Sequence, residues 1–536
     1  MKRLLRFLRT VRHLKTRQVF ARILLRLRRV KIHAATARPR ASSGPWVPTI
    51  QRRSGLDGKS RLKILNKSID LSDPDCWRDH RQSRLVLYNL HYLDVINADT
   101  CGDGNGERYE LLERWVQQNP PTGGAGWEPY PLSLRIVNII KWALNGGSVS
   151  ASIAESLHHQ AQALSQQVEH HILGNHILAN AKALVFAGSY FDGRDAEKWL
   201  QEGSRLLESE LDEQILADGG HFERSPMYQA ILLEDVLDLT NLSRHYALGL
   251  TISLPEFAMK MQAWLQAMTH TDGDVSYFND STMGVAPSLQ SLIDYAGRLD
   301  LRSGSDSNSP NAYLEASGYI RRSLDDVALI IDVGEIGPDY QPGHAHSDCL
   351  SFEMTCGRQR VLVNTGVSTY EEGERRNRER STAAHNTVAL DGAEQNEMWG
   401  AFRVGRRARP REIHVTDQEV KAQHDGFRTV GIVHQRRFSL SGSEVRIDDN
   451  LVARGSARAR GTAYFHYHPS VDLAVKGNIV DFGVGKMIFS GYQELRSEQY
   501  DYCLGFNSVE TGTRLAVVFQ DTLRTEIRFP KPLAGR

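Results

Sequence analysis

Cysteine is scarce in this 536-residue chain. There are five, Cys76, Cys101, Cys349, Cys356 and Cys503, an odd number without a CxxC pair. That excludes a disulfide framework and a thiolate zinc module, and leaves the redox compartment open with a reducing one favoured. No stretch approaches the roughly eighteen uninterrupted apolar residues of a bilayer-spanning helix. Strand–helix–strand alternation is missing too, which removes Rossmann and TIM-barrel architectures. Acid is absent at the start: sixteen Lys and Arg precede the first carboxylate, Asp57. The remainder carries 49 basic against 64 acidic residues, a net of −15 hidden behind a formal charge of +1. So acidic a body does not suit duplex nucleic acid, whose binding draws on clustered cations. No nucleic-acid partner is expected.

What is present is ordinary in bulk. The chain is 40% hydrophobic and 24% charged, which excludes wholesale disorder, and its length allows about three domains. Residues 1–31 place Leu4, Leu8 and Val11, then Phe20, Ile23, Leu24 and Leu27, at helical spacing with Arg and Lys between. Charge interrupts the apolar residues too often for a secretory signal. The segment reads as a basic amphipathic helix, either lying on an anionic membrane surface, packed on the acidic body, or forming a partly disordered arm. Residues 32–56, rich in Pro, Ser and Ala, read as a linker. From 57 to about 305 apolar residues recur at three and four, in segments parted by Gly- or Pro-bearing turns; the pattern predicts an all-helical bundle or toroid. The run RSGSDSNSPN (302–311) punctuates the chain, and from 306 to 536 short β-branched, alternating segments predict an antiparallel β body of stacked sheets. CGDGNGE (101–107) contains GxGxG, but no strand precedes it and no lysine follows. It is a surface loop, and no nucleotide cofactor is expected.

Four polar clusters stand out. Trp127, Glu128 and Arg135 sit at a Gly- and Pro-flanked helix entry; they line a sugar cleft or form an ordinary cap with a packed Trp. Asn175 and His176 open the helix NHILANAKAL, with Asn175 as N-cap. In GGHFERSPMYQ, His221, Glu223, Arg224 and Tyr228 crowd a loop entering a helix, with Ser225 as N-cap and Pro226 as its first residue. In GHAHSD an extended backbone would project His344, His346 and Asp348 from one face. Downstream lie Asn364, then Arg376, Arg378 and Arg380, then His385. Two strand-borne imidazoles and a distant third are metal-like, and His with carboxylate suits zinc.

In Trp127–Arg135, Asn175–Ala181, Gly219–Tyr228 and Gly343–Trp399, with GHAHSD, VNTG and RSTAAHNTVALDG in order, the chain resembles the heparinase II/III-like polysaccharide lyases, a family that also includes alginate lyases. The resemblance runs from about residue 85 to 520. It implies an incomplete α/α toroid followed by an antiparallel β-sandwich domain. It also implies β-elimination at a uronic acid of an acidic polysaccharide. That reaction needs a neutralised carboxylate, a base for the carbon 5 proton and an acid for the departing oxygen. By motif, Asn175 and His176 resemble the carboxylate-neutralising pair. Tyr228 resembles the catalytic acid, which doubles as base when both atoms lie on one face. His344 resembles the base for substrates of opposite configuration. Trp127, Glu128, Arg135, His221, Glu223, Arg378 and Arg380 are the expected substrate-binding residues. In metal-bearing members, His346, the position of Asn364, and His385 are the ligands of a structural zinc. Those members have a carboxylate where this chain has Asn364, a neutral and weaker ligand. Without a metal, His346 and His385 would hydrogen-bond and fix the ring of His344.

Two other readings stay open on the sequence. One is a catalytically idle glycan-binding or assembly protein of an exopolysaccharide system. The other is a glycoside hydrolase using carboxylates such as Glu128, Glu223, Asp272 or Asp274. The resemblance implies the cell envelope, whereas the residues themselves carry no export signal.

Overall fold

A computed structural model describes residues 2–34, 37–53, 55–58, 60–99, 105–301, 311–453 and 459–530. The boundary read at 305/306, Cys101 and the first half of the CGDGNGE loop lie outside these residues.

The basic segment forms two helices rather than one, α1 (Lys2–Val11) and α2 (Thr16–Leu27). The stretch read as a linker is packed on the helical body. Arg40 N donates to Tyr190 O, Ser43 N to His245 O, and Asn241 clasps Val47 through N–H and carbonyl alike. Ile50 is buried in the core beneath. Residues 56–70 add a three-stranded antiparallel sheet at the start of the region read as helical.

Among the described residues nine further helices come before the main sheets: α3 (Arg84–Tyr92), α4 (Asn105–Gln118), α5 (Pro129–Leu144), α6 (Ala151–Ser165), α7 (Asn175–Tyr190), α8 (Arg194–Gln214), α9 (Pro226–Tyr246), α10 (Leu254–Ala267) and α11 (Leu289–Arg298). Their starts are chemically marked. Ser150 and Ser225 accept from the backbone N–H three residues on, and Pro129 and Pro226 occupy first-turn positions where no donor is lost. Helix α7 is buried from Ile177 to Tyr190, which places it centrally against α5, α8 and α9. Its small residues, Ala181, Ala183, Ala187 and Gly188, permit that all-round packing. At Gly188 an added Cβ would collide with the backbone of α8.

The chain then turns to strands. A five-stranded antiparallel sheet runs in the order Gln359–Leu362, Phe352–Cys356, Val327–Asp332, Tyr319–Leu324 and Ala312–Leu314. A ten-stranded antiparallel sheet is built around the long hairpin Lys486–Gly505 and Ser508–Arg528. In Ile432–Ser441 the period of two is plain, with His434, Arg436, Phe438 and Leu440 buried and their neighbours not.

One strand joins the halves. Val327–Asp332 is buried throughout; Leu329 and Ile331 face the core of the sheets, while Ile330 meets Trp264, Met268 and Phe278 from the helical half. The loop after α10 is thereby held in the β half. Asp280 N donates to His344 O (3.0 Å) and Tyr277 N to Glu353 Oε1 (3.1 Å).

Candidate active site

A cleft of about 1510 Å³ opens between the two halves. Its helical wall includes Tyr130, Asn175, His176 and Tyr228; its β wall includes His344, Tyr370 and Phe402.

Asn175 is not the N-cap read from the sequence. Gly174 takes that place with φ 60°, and Asn175 becomes the first helical residue. A Cβ at 174 would collide with Glu223, so glycine permits both the backbone turn and the carboxylate's approach. Glu223 accepts from Asn175 N (3.2 Å) and Nδ2 (2.9 Å). The second amide hydrogen points at His344 Nε2, 3.3 Å away.

His344 is fixed from behind. Its Nδ1 lies 2.8 Å from Asp280 Oδ2, and His346 Nε2 lies 2.8 Å from Asp280 Oδ1. Arg376 donates to both oxygens, at 2.5 and 2.7 Å. Burial opposes the charge on Asp280, but Arg376 and the two imidazoles outweigh it and hold the carboxyl well below the usual range. An ionised Asp280 only accepts, so His344 donates from Nδ1, and in the neutral ring the lone pair is then on Nε2, the atom facing Asn175.

Tyr228 enters on the first turn of α9, its N–H bonded to Ser225 Oγ (3.2 Å). Its ring lies 4.2 Å, centroid to centroid, from that of His344, and its hydroxyl is 3.2 Å from that of Tyr370. Burial, with Tyr370 adding to it, pushes the phenol well above its ordinary pKa. His176 lies beside the ring of Tyr130 (4.3 Å), with Nδ1 3.1 Å from Glu169 Oε1. Burial disfavours its imidazolium, but the carboxylate of Glu169, helped by Glu223, more than offsets that and raises the pKa.

Asn175, His176, Tyr228 and His344 therefore share the cleft, with Glu223 directly behind Asn175. The remaining expected substrate-binding residues lie elsewhere. Trp127 is buried, donating to Asn119 O beside Trp115. Arg135 is fully buried, spending its guanidinium on Gln160, His91 O and Gly126 O. Glu128 is tied to Arg84 and Tyr88. His221 is buried against Gln214 Oε1 (2.9 Å), and burial lowers its pKa to about 4. Arg380 is buried and donates to Ala345 O, Gly400 O and Ala401 O, bracing the loop that carries His344. Arg378 is exposed and does not line the cleft. In Trp127, Arg135 and Arg380 carbonyls of the backbone or of a side-chain amide already take the N–H groups a sugar would need, whereas His221 keeps a buried Nδ1 without a partner.

GHAHSD is an irregular loop rather than a strand. Its two imidazoles still meet, on Asp280, but Asp348 turns away and accepts from Asn279 N (3.3 Å). Burial lifts its pKa to about 6. Asp280 and Tyr370 escaped sequence reasoning: Asp280 is a single polar residue in a loop with no motif around it, and Tyr370 lies between motifs, after VNTG, without belonging to one.

The residues read as zinc ligands cluster, with the rings of His346 and His385 5.2 Å apart. Both nitrogens of His385, Nδ1 of His346 and Nδ2 of Asn364 are buried without hydrogen-bond partners. Yet Asn364 supplies no charge, Arg376 and Arg380 already add positive charge beside His346, and the described residues hold no cluster of three metal-ligating His, Cys, Asp or Glu. Two neutral imidazoles and an amide fit a divalent cation poorly.

Residues 109–297 match the family model "Heparinase II/III N-terminus" and residues 306–528 match "Heparinase II/III-like, C-terminal". The chain is 24% identical over 455 residues to "FtsZ-localized protein C" of Caulobacter vibrioides, covering 78% of this chain and 74% of that one. It is 26% identical over 276 residues to a "Heparin-sulfate lyase" of Pedobacter heparinus, covering 44% of this chain and 38% of the lyase. The crystal structure of heparinase III superposes with a TM-score of 0.67 at 18% identity, over 84% of this chain and 79% of that one. That likeness shows a shared fold.

Proposed function

The chain belongs to the heparinase II/III-like family, and on that premise we propose that it is a polysaccharide lyase cleaving a uronate-containing acidic polymer by β-elimination. A bacterial exopolysaccharide or capsule is the substrate class in view. The helical half then corresponds to the incomplete α/α toroid and the sheets to the β-sandwich. One observation carries the proposal: Asn175 and Tyr228 from the helical half converge with His344 from the β half on a single cleft.

The local chemistry supports distinct roles. The substrate carboxylate displaces the long Asn175–His344 contact, so that the amide donates to it and His176 supplies positive charge nearby. Negative charge building on that carboxylate is then stabilised in a half-dry site. The same displacement frees the lone pair of His344 Nε2 to take the carbon 5 proton, while Asp280 stabilises the imidazolium that forms. Tyr228, kept protonated by its surroundings, donates to the departing oxygen. Burial keeps the phenol protonated and therefore without a free lone-pair anion to act as base, so His344 carries the base role. No step runs through a metal.

The hydrolase reading is disfavoured by how particular carboxylates are engaged. Asp280 is bound by Arg376 and two imidazoles and Glu223 by Asn175, while Asp272 is paired with Arg360 away from the cleft. A second reading, a glycan-binding protein without turnover, is favoured by the similarity over 78% of the chain to a protein named for localisation with FtsZ. Incubation with alginate, heparan, hyaluronan and bacterial capsule polymers tests both. Ultraviolet absorbance from an unsaturated product is the expected result. New reducing ends without that chromophore would indicate hydrolysis, and binding without either would indicate the idle protein.

A further inference from the structure

Helices α1 and α2 are seated the wrong way round for helices whose only partner is this chain. Polar side chains of both helices make the contacts with the protein. Arg9 bonds Glu397 (2.7 and 2.9 Å), Thr10 accepts from Trp399 Nε1 (3.0 Å), and Arg6 lies over the Trp399 ring. Lys15 pairs with Glu213 and lies over the ring of Tyr340, and Gln18 is buried, donating to Ile172 O and Tyr340 O. The apolar side chains face outward instead. Leu4 and Leu8, one turn apart on α1, are 62% and 50% exposed; Phe20, Ile23 and Leu24 on α2 are 63%, 54% and 56% exposed. An amphipathic helix in a globular protein buries its apolar stripe; here the stripe is what is left over.

Around that stripe the charge is of one sign. Arg3, Arg12, Arg22, Arg28 and Arg29 are exposed, and no acid occurs before Asp57. Among the described residues no helix is long and apolar enough to cross a membrane. From this pairing we propose that the outer face of α1 and α2 is a docking surface for an anionic lipid bilayer, with the leucine and phenylalanine side chains entering the acyl boundary and the arginines meeting the headgroups. A protein partner would have to bring an acidic rim to match; an anionic bilayer supplies both chemistries at once.

The placement has a consequence for the cleft. Phe7, Thr10, Val11, Leu14, Gln18 and Arg22 are among the residues that line it. Docking therefore sets the opening against the lipid surface, where a polymer lying along or anchored in that surface reaches it first. The docking face does not depend on the lyase reading, and its failure would leave that reading in place.

The test uses the full chain with sedimenting vesicles of phosphatidylglycerol and phosphatidylcholine, and of phosphatidylcholine alone. The anionic vesicles are expected to carry down about tenfold more protein, with the excess lost on raising the salt. The double variant Phe20→Glu, Ile23→Glu should sediment no better than with neutral vesicles while keeping its melting temperature, because both side chains are exposed. Three results would overturn the proposal. They are equal binding to both vesicle types, sedimentation undiminished in the double variant, and a native dimer by light scattering that the double variant turns into a monomer.

Discussion

Asp280 Oδ2 and His344 Nδ1 are 2.8 Å apart although they stand 64 positions apart in sequence and come from the two halves of the chain. The contact orients the imidazole and joins the domains in one pair of atoms. Asp280 is itself fully buried and held by Arg376.

Replacing Asp280 by Asn therefore leaves Arg376 buried without its counter-charge. A loss of about 3–5 kcal/mol in unfolding free energy is expected, together with loss of turnover as His344 is no longer held in one tautomer. Denaturant unfolding measures the first. The double variant Asp280→Asn, Arg376→Met should recover much of the stability and none of the activity. The pKa of Asp280 is depressed, so its contribution is present above the ordinary Asp value and disappears as pH falls through the lower folded value.

Tyr228→Phe should retain polymer binding and lower turnover by about 10²–10⁴-fold, the range for a general acid. Only the hydroxyl contact to Tyr370 is lost, so stability should change by about 1 kcal/mol or less. Tyr370→Phe removes the same hydrogen bond from the other side and should cost about tenfold or less. Normal turnover by Tyr228→Phe would defeat the acid assignment.

His176 gives a pH signature. Its folded pKa is raised by Glu169 against burial, so the imidazolium contributes stability fully below about 6.5, and that contribution is lost as pH rises through the higher folded value. The KM for an anionic polymer should climb over the same limb. In His176→Gln the limb should vanish from both the KM profile and the melting temperature measured between about pH 6 and pH 9.

The neutral ligand set at Asn364 predicts that zinc and chelators leave the melting temperature of the native chain unchanged. Asn364→Asp supplies the charge that the set of His346, His385 and residue 364 lacks. That variant should gain about 2.7 kcal/mol at zinc a hundredfold above its dissociation constant. A zinc-dependent shift in the native chain would show that the imidazoles alone suffice.

Much of this arrangement is legible in the residues, and the limits are physical. The change of period near residue 305 reflects side-chain geometry in helix and strand, and it survives into the structure as helices through Arg298 and antiparallel strands from Ala312. Ser225-Pro226 marks the start of α9 because capping is local. Asn175, Tyr228 and His344 stand in dense motifs. Asp280 does not, because its partners are brought to it by the packing of Ile330 against Trp264 and Phe278, a long-range event without a local pattern. The arginines misled for the opposite reason: Arg135 and Arg380 look like polyanion contacts by charge, yet each is used up on carbonyls within its own neighbourhood. The break between α1 and α2 at His13–Lys15 carries neither Pro nor Gly, so spacing alone read one continuous helix.

The grip of α1 and α2 on both halves has a mechanical side. Arg9 reaches Glu397 in the sheet half, and Lys15 and Arg17 reach Glu213 in the helical half, so the pair of helices bridges the two halves. Its ion pairs are partly solvated and weaken with ionic strength, whereas the Asp280–Arg376 lock is shielded from salt. Electrolyte thus loosens the outer fastening while the inner one holds, and how firmly the amino-terminal pair grips the body is set by the medium as well as by the chain.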